Sequence, residues 1–425
     1  MILIEMFAIF MLLVFLQMPI GLSMGISATL VLIQFKIAPL ILIPQRLFVT
    51  INSFPLMAVP FFIIAGYLMN EAGVTRRLVN LARGLVGHWR GGLAHVSVVA
   101  GMFFAGVSGS ASAEAAALGS IMIPAMEKDG YENSFSVGLI AAVATLGPII
   151  PPSLTMVIYG ALADVSVGKL FLAGAIPGIL IGFSLMGISA FYARRRNYPR
   201  GERATWHERL RVFKEASLAL MAPIIILGGI IGGIFTATEA GAVVAVYSLV
   251  LGLFVYKEIR LRDLPRILVN AANMTAIPMF ILGMASIFGW VLAREQFALY
   301  LTDLLLSIST NPLIIYLLIV TMLFIIGMFV EGLAALLIFV PVLHPLALTL
   351  GYDPIHFALV MIVIILIGTV TPPVGLQLYI TCSIANVPVP KATIWPFVFA
   401  ETATLLLVVY LPPLATFLPY LFFPK

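Results

Sequence analysis

Gly147-Pro148-Ile149-Ile150-Pro151-Pro152-Ser153 and Gly368-Thr369-Val370-Thr371-Pro372-Pro373-Val374 stand 221 residues apart, each in the middle of a long apolar stretch. A Pro-Pro pair cannot continue a helix, because it removes backbone donors and its rings clash with the preceding turn. In hydrocarbon such a break is tolerated only where the freed backbone groups face protein, water or a ligand. Two matched breaks in two related halves point to the central binding site of a secondary transporter.

Composition identifies the medium. The 425 residues are 62% hydrophobic and 10% charged, with a mean hydropathy of +1.14. A soluble chain of this size needs more polar surface to cover its core, so the chain reads as an all-α polytopic membrane protein. Its net charge of +5 lies in short loops between apolar spans and is no nucleic-acid footprint. The single cysteine, Cys382, excludes an intrachain disulfide framework, and five scattered histidines offer no metal-ligand spacing. No GxxxxGK[ST], HExxH or Ser/His/Asp arrangement occurs, which argues against an enzyme. The segment Met1–Glu5 lacks a basic n-region, so the first span is expected to be retained.

The two halves repeat. At an offset of +221, Gly106 meets Gly327, Pro124 meets Pro345, Gly130-Tyr131 meets Gly351-Tyr352, and Pro151-Pro152 meets Pro372-Pro373. At +218, Ala58 meets Ala276, Pro60 meets Pro278, and Phe62-Ile63 meets Phe280-Ile281. Matches of Gly and Pro carry the weight in an apolar chain. The first half gives spans 2–16, 18–35 and 54–73, an amphipathic stretch 75–90, short arms 93–107 and 112–126, a broken span 135–163 and a closing span 171–192. The second gives 217–235, 238–256, 273–292, a polar stretch 293–311, arms 312–327 and 332–350, a broken span 355–383 and 394–418. Arms this short fall below the roughly 20 residues a crossing needs, so they read as re-entrant hairpins. Five crossings per half invert the second half relative to the first. Charge agrees: stretches 75–90, 194–214 and 257–266 are rich in arginine, and the repeat partners of the first and third are poor in basic residues.

Four segments should carry the chemistry. The first hairpin turns at Gly106-Val107-Ser108-Gly109-Ser110-Ala111-Ser112-Ala113, and the amides of its outgoing helix suit an anion. Glu114 falls in that helix's first turn; a small-residue packing motif is the competing reading. At the breaks, carbonyls near Gly147-Pro148 and Gly368 suit a hard cation such as sodium, and Ser153, Thr155, Thr369 and Thr371 add oxygens. The outgoing helices begin near Ser153 and Gly375 with free amides; the competing reading is a proline kink satisfied by neighbouring helices. The second tip, Gly327-Met328-Phe329-Val330-Glu331-Gly332, carries Glu331, which could ligate a cation, carry a proton or cap a helix. Glu239 reads as a helix cap with Thr236 or Thr238, Asp164 and Lys169 as loop charges, and Glu401 as a buried charge needing a partner the sequence does not name.

At these residues a family becomes visible. Ser108-Gly109-Ser110-Ala111-Ser112, Gly119-Ser120-Ile121-Met122-Ile123-Pro124-Ala125-Met126, the first break, Phe235-Thr236-Ala237-Thr238-Glu239-Ala240 and Thr371-Pro372-Pro373-Val374-Gly375 together resemble the large membrane subunit of tripartite ATP-independent periplasmic (TRAP) transporters. The resemblance implies an elevator-type ion-transporter architecture: an inverted-topology repeat with two re-entrant hairpins and two broken helices. It implies sodium-coupled import of an organic acid across the bacterial inner membrane. It also implies two partners, a small four-helix membrane subunit and a periplasmic substrate-binding protein. The chain is expected not to be fused to the small subunit. The Ala-rich run 113–119 is closer to sialic-acid members, with C4-dicarboxylates next. Scaffold segments are then 1–73 and 217–292, arms 74–90 and 293–311, transport units 91–192 and 312–418, and 193–216 a cytoplasmic basic loop. On this reading Ser108, Ser110, Ser112, Ser153, Thr155 and Gly375 bind substrate. Sodium is held by Ser108, Ser110, Gly147, Pro148, Gly327, Glu331, Gly368, Thr369 and Thr371. A stand-alone carrier, a proton-coupled exchanger using Glu331, and a channel are the rival readings.

Overall fold

The computed structural model describes residues 1–423. The first half forms α1 (Ile2–Phe15), α2 (Ile20–Phe35), α3 (Leu42–Ile51), α4 (Ala58–Glu71), α5 (Val74–Val86), α6 (Gly92–Ser108), α7 (Ala111–Lys128), α8 (Asn133–Ala144), α9 (Leu154–Ala163) and α10 (Val167–Arg195). The second forms α11 (Trp206–Ile231), α12 (Ala237–Val250), α13 (Leu264–Arg294), α14 (Phe297–Ile308), α15 (Pro312–Gly327), α16 (Gly332–Thr349), α17 (Pro354–Gly368), α18 (Leu376–Ala385), α19 (Trp395–Tyr410) and α20 (Pro413–Phe422). Among the described residues, five helical stretches are long and apolar enough to cross a bilayer, and counting each bent pair as one span raises that to eight.

Local chemistry starts and stops these helices. Asp353 accepts from the amides of Ile355 and His356 at 3.0 Å while Pro354 takes the first helical position, where its missing N–H is no loss. Thr205 and Glu208 form a capping box that starts α11 eleven residues ahead of the apolar span, so Arg209, Arg211 and Lys214 sit on helix. Asp164 and Asn386 end α9 and α18 in the left-handed conformation that both residues tolerate, 222 positions apart.

The core is built around the helices that enter the breaks. Every residue of α17 from Ile355 to Gly368 is buried, as is every residue of α8 from Phe135 to Ala144. A helix apolar on all sides is stable only when surrounded. Around this pair the halves interlock reciprocally. α2 packs on α13 and α12 on α4; α7 packs on α18 and α16 on α9; α10 packs on α17 and α19 on α8. Each contact joins one half to the other and has its exchanged twin, as a twofold duplication requires.

The duplication is broken in two places. α13 runs unbroken for 31 residues, whereas its counterpart bends by 60° between α3 and α4. Residues 36–50, which the sequence leaves outside the apolar spans, therefore hold most of a helix, and α3 has no buried residue. Conversely α10 is continuous for 29 residues, while α19 and α20 meet at 59° beside Pro412-Pro413. The hairpin arms α6, α7 and α15 run 17, 18 and 16 residues, short of the roughly 20 that span a bilayer, whereas α16, at 18, is among the five long and apolar enough to cross.

One end of the molecule is tied across the halves by charge. Glu258 pairs with Arg77 at 2.8 Å and Arg76 at 3.0 Å, and Arg77 stacks over Tyr256 at 3.8 Å. Arg266 reaches Glu71 at 3.0 Å. The Glu258 bonds fasten α5, which packs between α6 and α11, to the segment joining α12 and α13, and Arg266 ties α13 to the end of α4.

Glycine decides the closest approach. A Cβ on Gly368 would lie 2.6 Å from Gly327 Cα, whereas one on Gly187, in α10, meets nothing within 4 Å. Gly368→Ala is expected to lower stability by about 1–3 kcal/mol through overpacking, and Gly187→Ala to leave it unchanged or raise it slightly. Thermal unfolding of the purified protein in detergent checks the pair.

Candidate functional site

Each hairpin tip abuts the break of its own half. In the first half, α6 ends at Ser108, Gly109 turns the chain with φ +60°, and Ser110 caps α7 by accepting from the amide of Ala113. A Cβ on Gly109 would stand 3.0 Å from the amide nitrogen of Leu154 and 3.1 Å from the carbonyl oxygen of Pro152. The positive φ and the close approach both demand glycine there. Gly147 faces the carbonyl of Ser110. Ser108, Ser110, Gly147, Pro148 and Ser153 therefore belong to one constellation, bonded internally: Ser153 Oγ donates to Pro148 O at 2.6 Å and accepts from the amide of Met156 at 3.2 Å. Ser108 Oγ is buried with no hydrogen-bond partner among the described residues. Ser112 lies half-buried further up the same arm, and Thr155 is buried in the first turn of α9.

The second half builds the same meeting from different parts. A Cβ on Gly327 would lie 2.6 Å from Ile365 O, so tip and incoming helix touch backbone to backbone. Gly332 faces the methyl of Thr369. Thr369 and Thr371 are buried and donate their hydroxyl hydrogens to Leu366 O and Ile367 O at 2.7 Å each, which leaves their lone pairs for another partner. Gly375 caps α18 with φ +57°. Residues 151–153 are buried, whereas Pro373 and Val374 are exposed. The two Pro-Pro bonds are both cis.

Glu331 caps α16, its carboxylate accepting from the amide of Ala334 at 2.9 Å, and the residue is exposed. Of the three roles open to it, the structure displays the cap. The deeply buried carboxylate of the hairpins is instead Glu114, fully inaccessible, with neither oxygen hydrogen-bonded among the described residues. Two glycines make room for it: a Cβ on Gly147 would lie 2.5 Å from Oε2, and one on Gly101 would lie 3.0 Å from Oε1. The sequence put Glu114 in the first turn of α7 but could not show it wedged against the break. Gln377, in the first turn of α18, was missed: its residue is buried and its side-chain oxygen has no partner among the described residues. It is the second residue of α18 as Thr155 is the second of α9, a match one position off the +221 offset of the prolines.

The centres are coupled through the helices that leave them. Tyr159 of α9 bonds His344 of α16 at 2.9 Å, both buried. Glu239 forms a capping box with Thr236, while Thr238 instead bonds Phe54 O. Asp164 ends α9 ten residues beyond Leu154, about 15 Å from the break at helical rise, and Lys169 lies over the ring of Tyr420; neither joins the constellation.

Comparison with known proteins identifies the family. Residues 7–414 match the family described as tripartite ATP-independent periplasmic transporter, DctM component. The sialic acid TRAP transporter large permease protein SiaM of Vibrio cholerae is 42% identical, with 96% of each chain covered. The C4-dicarboxylate permease DctM of Rhodobacter capsulatus is 37% identical over 95% of this chain and 96% of its own. The isethionate permease DctMQ of Oleidesulfovibrio alaskensis is 39% identical over 97% of this chain and 65% of its own length. Among solved structures, the YdaH transporter of Alcanivorax borkumensis superposes with a TM-score of 0.63 at 15% identity, covering 88% and 87% of the two chains, a likeness of fold. The relatives are transporter permeases and not enzymes, and this chain belongs to the large-permease (DctM component) family of TRAP transporters.

Proposed function

We propose that this permease imports an organic acid with sodium, moving substrate by an elevator displacement of the two tip-and-break centres against the remaining helices. The observation that carries the reading is the seating of each hairpin tip on a broken helix, where carbonyl and hydroxyl oxygens gather. Around the first break these are Ser108 Oγ and the carbonyls near Gly147 and Pro148; around the second they are Thr369, Thr371 and the carbonyls of Gly327 and Gly368. A donor set of carbonyls and hydroxyls, with one buried hydroxyl unpartnered, fits a hard monovalent cation. Glu331 would contribute charge at the second tip. The amides opening α7, α9 and α18, with Ser110, Ser112, Ser153, Thr155 and Gly375 beside them, would hold the substrate carboxylate.

The moving unit would comprise 91–192 and 312–418, the scaffold 1–73 and 217–292, with 74–90 and 293–311 as connecting arms and 193–216 on the cytoplasmic side. The charge ties of α5 to the α12–α13 segment support an arm anchored to the scaffold. Sialic acid is the first substrate to try and C4-dicarboxylates the second. In a TRAP system the large permease works in the inner membrane with a small four-helix subunit and a periplasmic protein that delivers substrate.

Two measurements test this. Uptake of labelled sialic acid into proteoliposomes holding this chain and its small subunit should need both an inward sodium gradient and the periplasmic protein. Uptake without the soluble protein would favour a stand-alone carrier, and uptake indifferent to sodium would remove the coupling. Thr371→Val keeps the shape but loses one oxygen. It is expected to raise the sodium concentration for half-maximal uptake about tenfold or more, equivalent to losing one good polar contact, with unchanged membrane insertion.

A further inference from the structure

Thr145 and Glu401 form a buried pair behind the first break that the sodium and substrate sites leave unused. Thr145 closes the last turn of α8, two residues before Gly147, and Glu401 lies on α19; both are fully inaccessible. Thr145 Oγ1 stands 2.7 Å from Ala142 O and 2.7 Å from Glu401 Oε1. Both separations are those of well-formed O–H···O bonds. A threonine hydroxyl owns one hydrogen. If Glu401 were a bare carboxylate, that hydrogen would have to serve two acceptors, leaving one close oxygen pair unbonded. The account closes only when Glu401 brings a hydrogen of its own: Glu401 donates to Thr145 Oγ1, and Thr145 donates to Ala142 O.

The surroundings agree. No cation pairs with Glu401 among the described residues, and Oε2 has no hydrogen-bond partner there, which is far more costly for a charged carboxylate than for a neutral acid. α19 packs on α8, α10, α17 and α20. α8 presents no titratable side chain. Those of α10 are Lys169 near one end and Tyr192, Arg194 and Arg195 near the other. His356 of α17 is engaged by Tyr316 and by Val408 O, seven residues along α19, or about 10 Å from Glu401 at helical rise. Tyr420 of α20 donates to Asp353.

We propose that Glu401 is a proton-binding site that sets the entrance to the first break through Thr145. With the proton bound, the last turn of α8 is held as described. When the proton leaves to water, Thr145 must turn its hydrogen from Ala142 O to the carboxylate. The carbonyl of Ala142 then keeps only its bond from the Thr145 amide at 3.1 Å, and an uncompensated charge remains inside the bundle. The protonated form therefore favours this packing, and transport becomes sensitive to pH independently of sodium.

Infrared difference spectroscopy on the purified chain reads protonated carboxyls directly and requires no transport, so its outcome is separate from the sodium reading. The wild-type minus Glu401→Gln spectrum at neutral pH should contain one protonated-carboxyl stretch, and that band should shift in Thr145→Val. A difference spectrum showing carboxylate stretches instead overturns the proposal. If Glu401→Gln does not fold, the Thr145→Val shift decides, and an unshifted band counts against the site. In reconstituted transporter at a fixed sodium gradient, wild-type uptake should fall severalfold from mildly acid to mildly alkaline medium while Glu401→Gln stays flat. A Gln variant that keeps the wild-type slope removes Glu401 from the response.

Discussion

A helix that stops inside hydrocarbon leaves open backbone groups, and no lipid can satisfy them. That constraint governs this molecule. α8 and α17 both stop there, and each is enclosed along its whole length. Everything else follows from the need for enclosure: the hairpin tips cover the breaks, α9 and α18 lead away into the opposite half's hairpin, and α10 and α19 cross over to cover the opposite incoming helix. An interrupted span becomes affordable only inside such a shell, and the shell in turn supplies the polar atoms from which a transport site can be made.

The two centres solve one packing problem with different chemistry. In the second half the tip and the incoming helix meet through paired glycines, with the hydroxyl groups of Thr369 and Thr371 on the incoming side. In the first, Gly106 faces Pro223 of α11 and the carbonyl of Pro151, and Gly147 faces a carboxylate. Carboxyl groups from two sides, Glu114 from the hairpin and Glu401 through Thr145, therefore converge on the first break alone. The first break is sealed within the bundle while Pro373 and Val374 of the second are exposed. A duplicated fold has thus kept its geometry and divided its electrostatics.

The breaks, the duplication and the hairpins were legible because Pro and Gly act through the backbone, and their meaning survives without knowledge of neighbours. The apolar spans were legible for the same local reason. What was hidden depended on distant partners. Glu401 could be seen to need a partner, but Thr145 lies 256 residues away and nothing local names it. Glu331 looked costly because a carboxylate at a membrane-depth turn has no visible partner, whereas the structure exposes it and gives it the amide of Ala334. Glu114 looked ordinary because the glycines that admit it belong to α6 and to the segment after α8. The helix α3 escaped notice because it buries nothing, and burial is what hydrophobic periodicity reports.

The reciprocal packing also sets a timetable for synthesis. α9 finishes at Ala163, but α16, against which it packs, is complete only at Thr349, and α18, the partner of α7, only at Ala385. At about 5–20 residues per second, the first half waits roughly 10–40 s for its partners to emerge. During that interval a helix of ten residues and a hairpin too short to span must be kept from lipid by something other than their final neighbours. The insertion machinery, or the first half folded provisionally upon itself, has to shelter them, so the same interlock that encloses the finished breaks makes the chain dependent on its escort while it is being made.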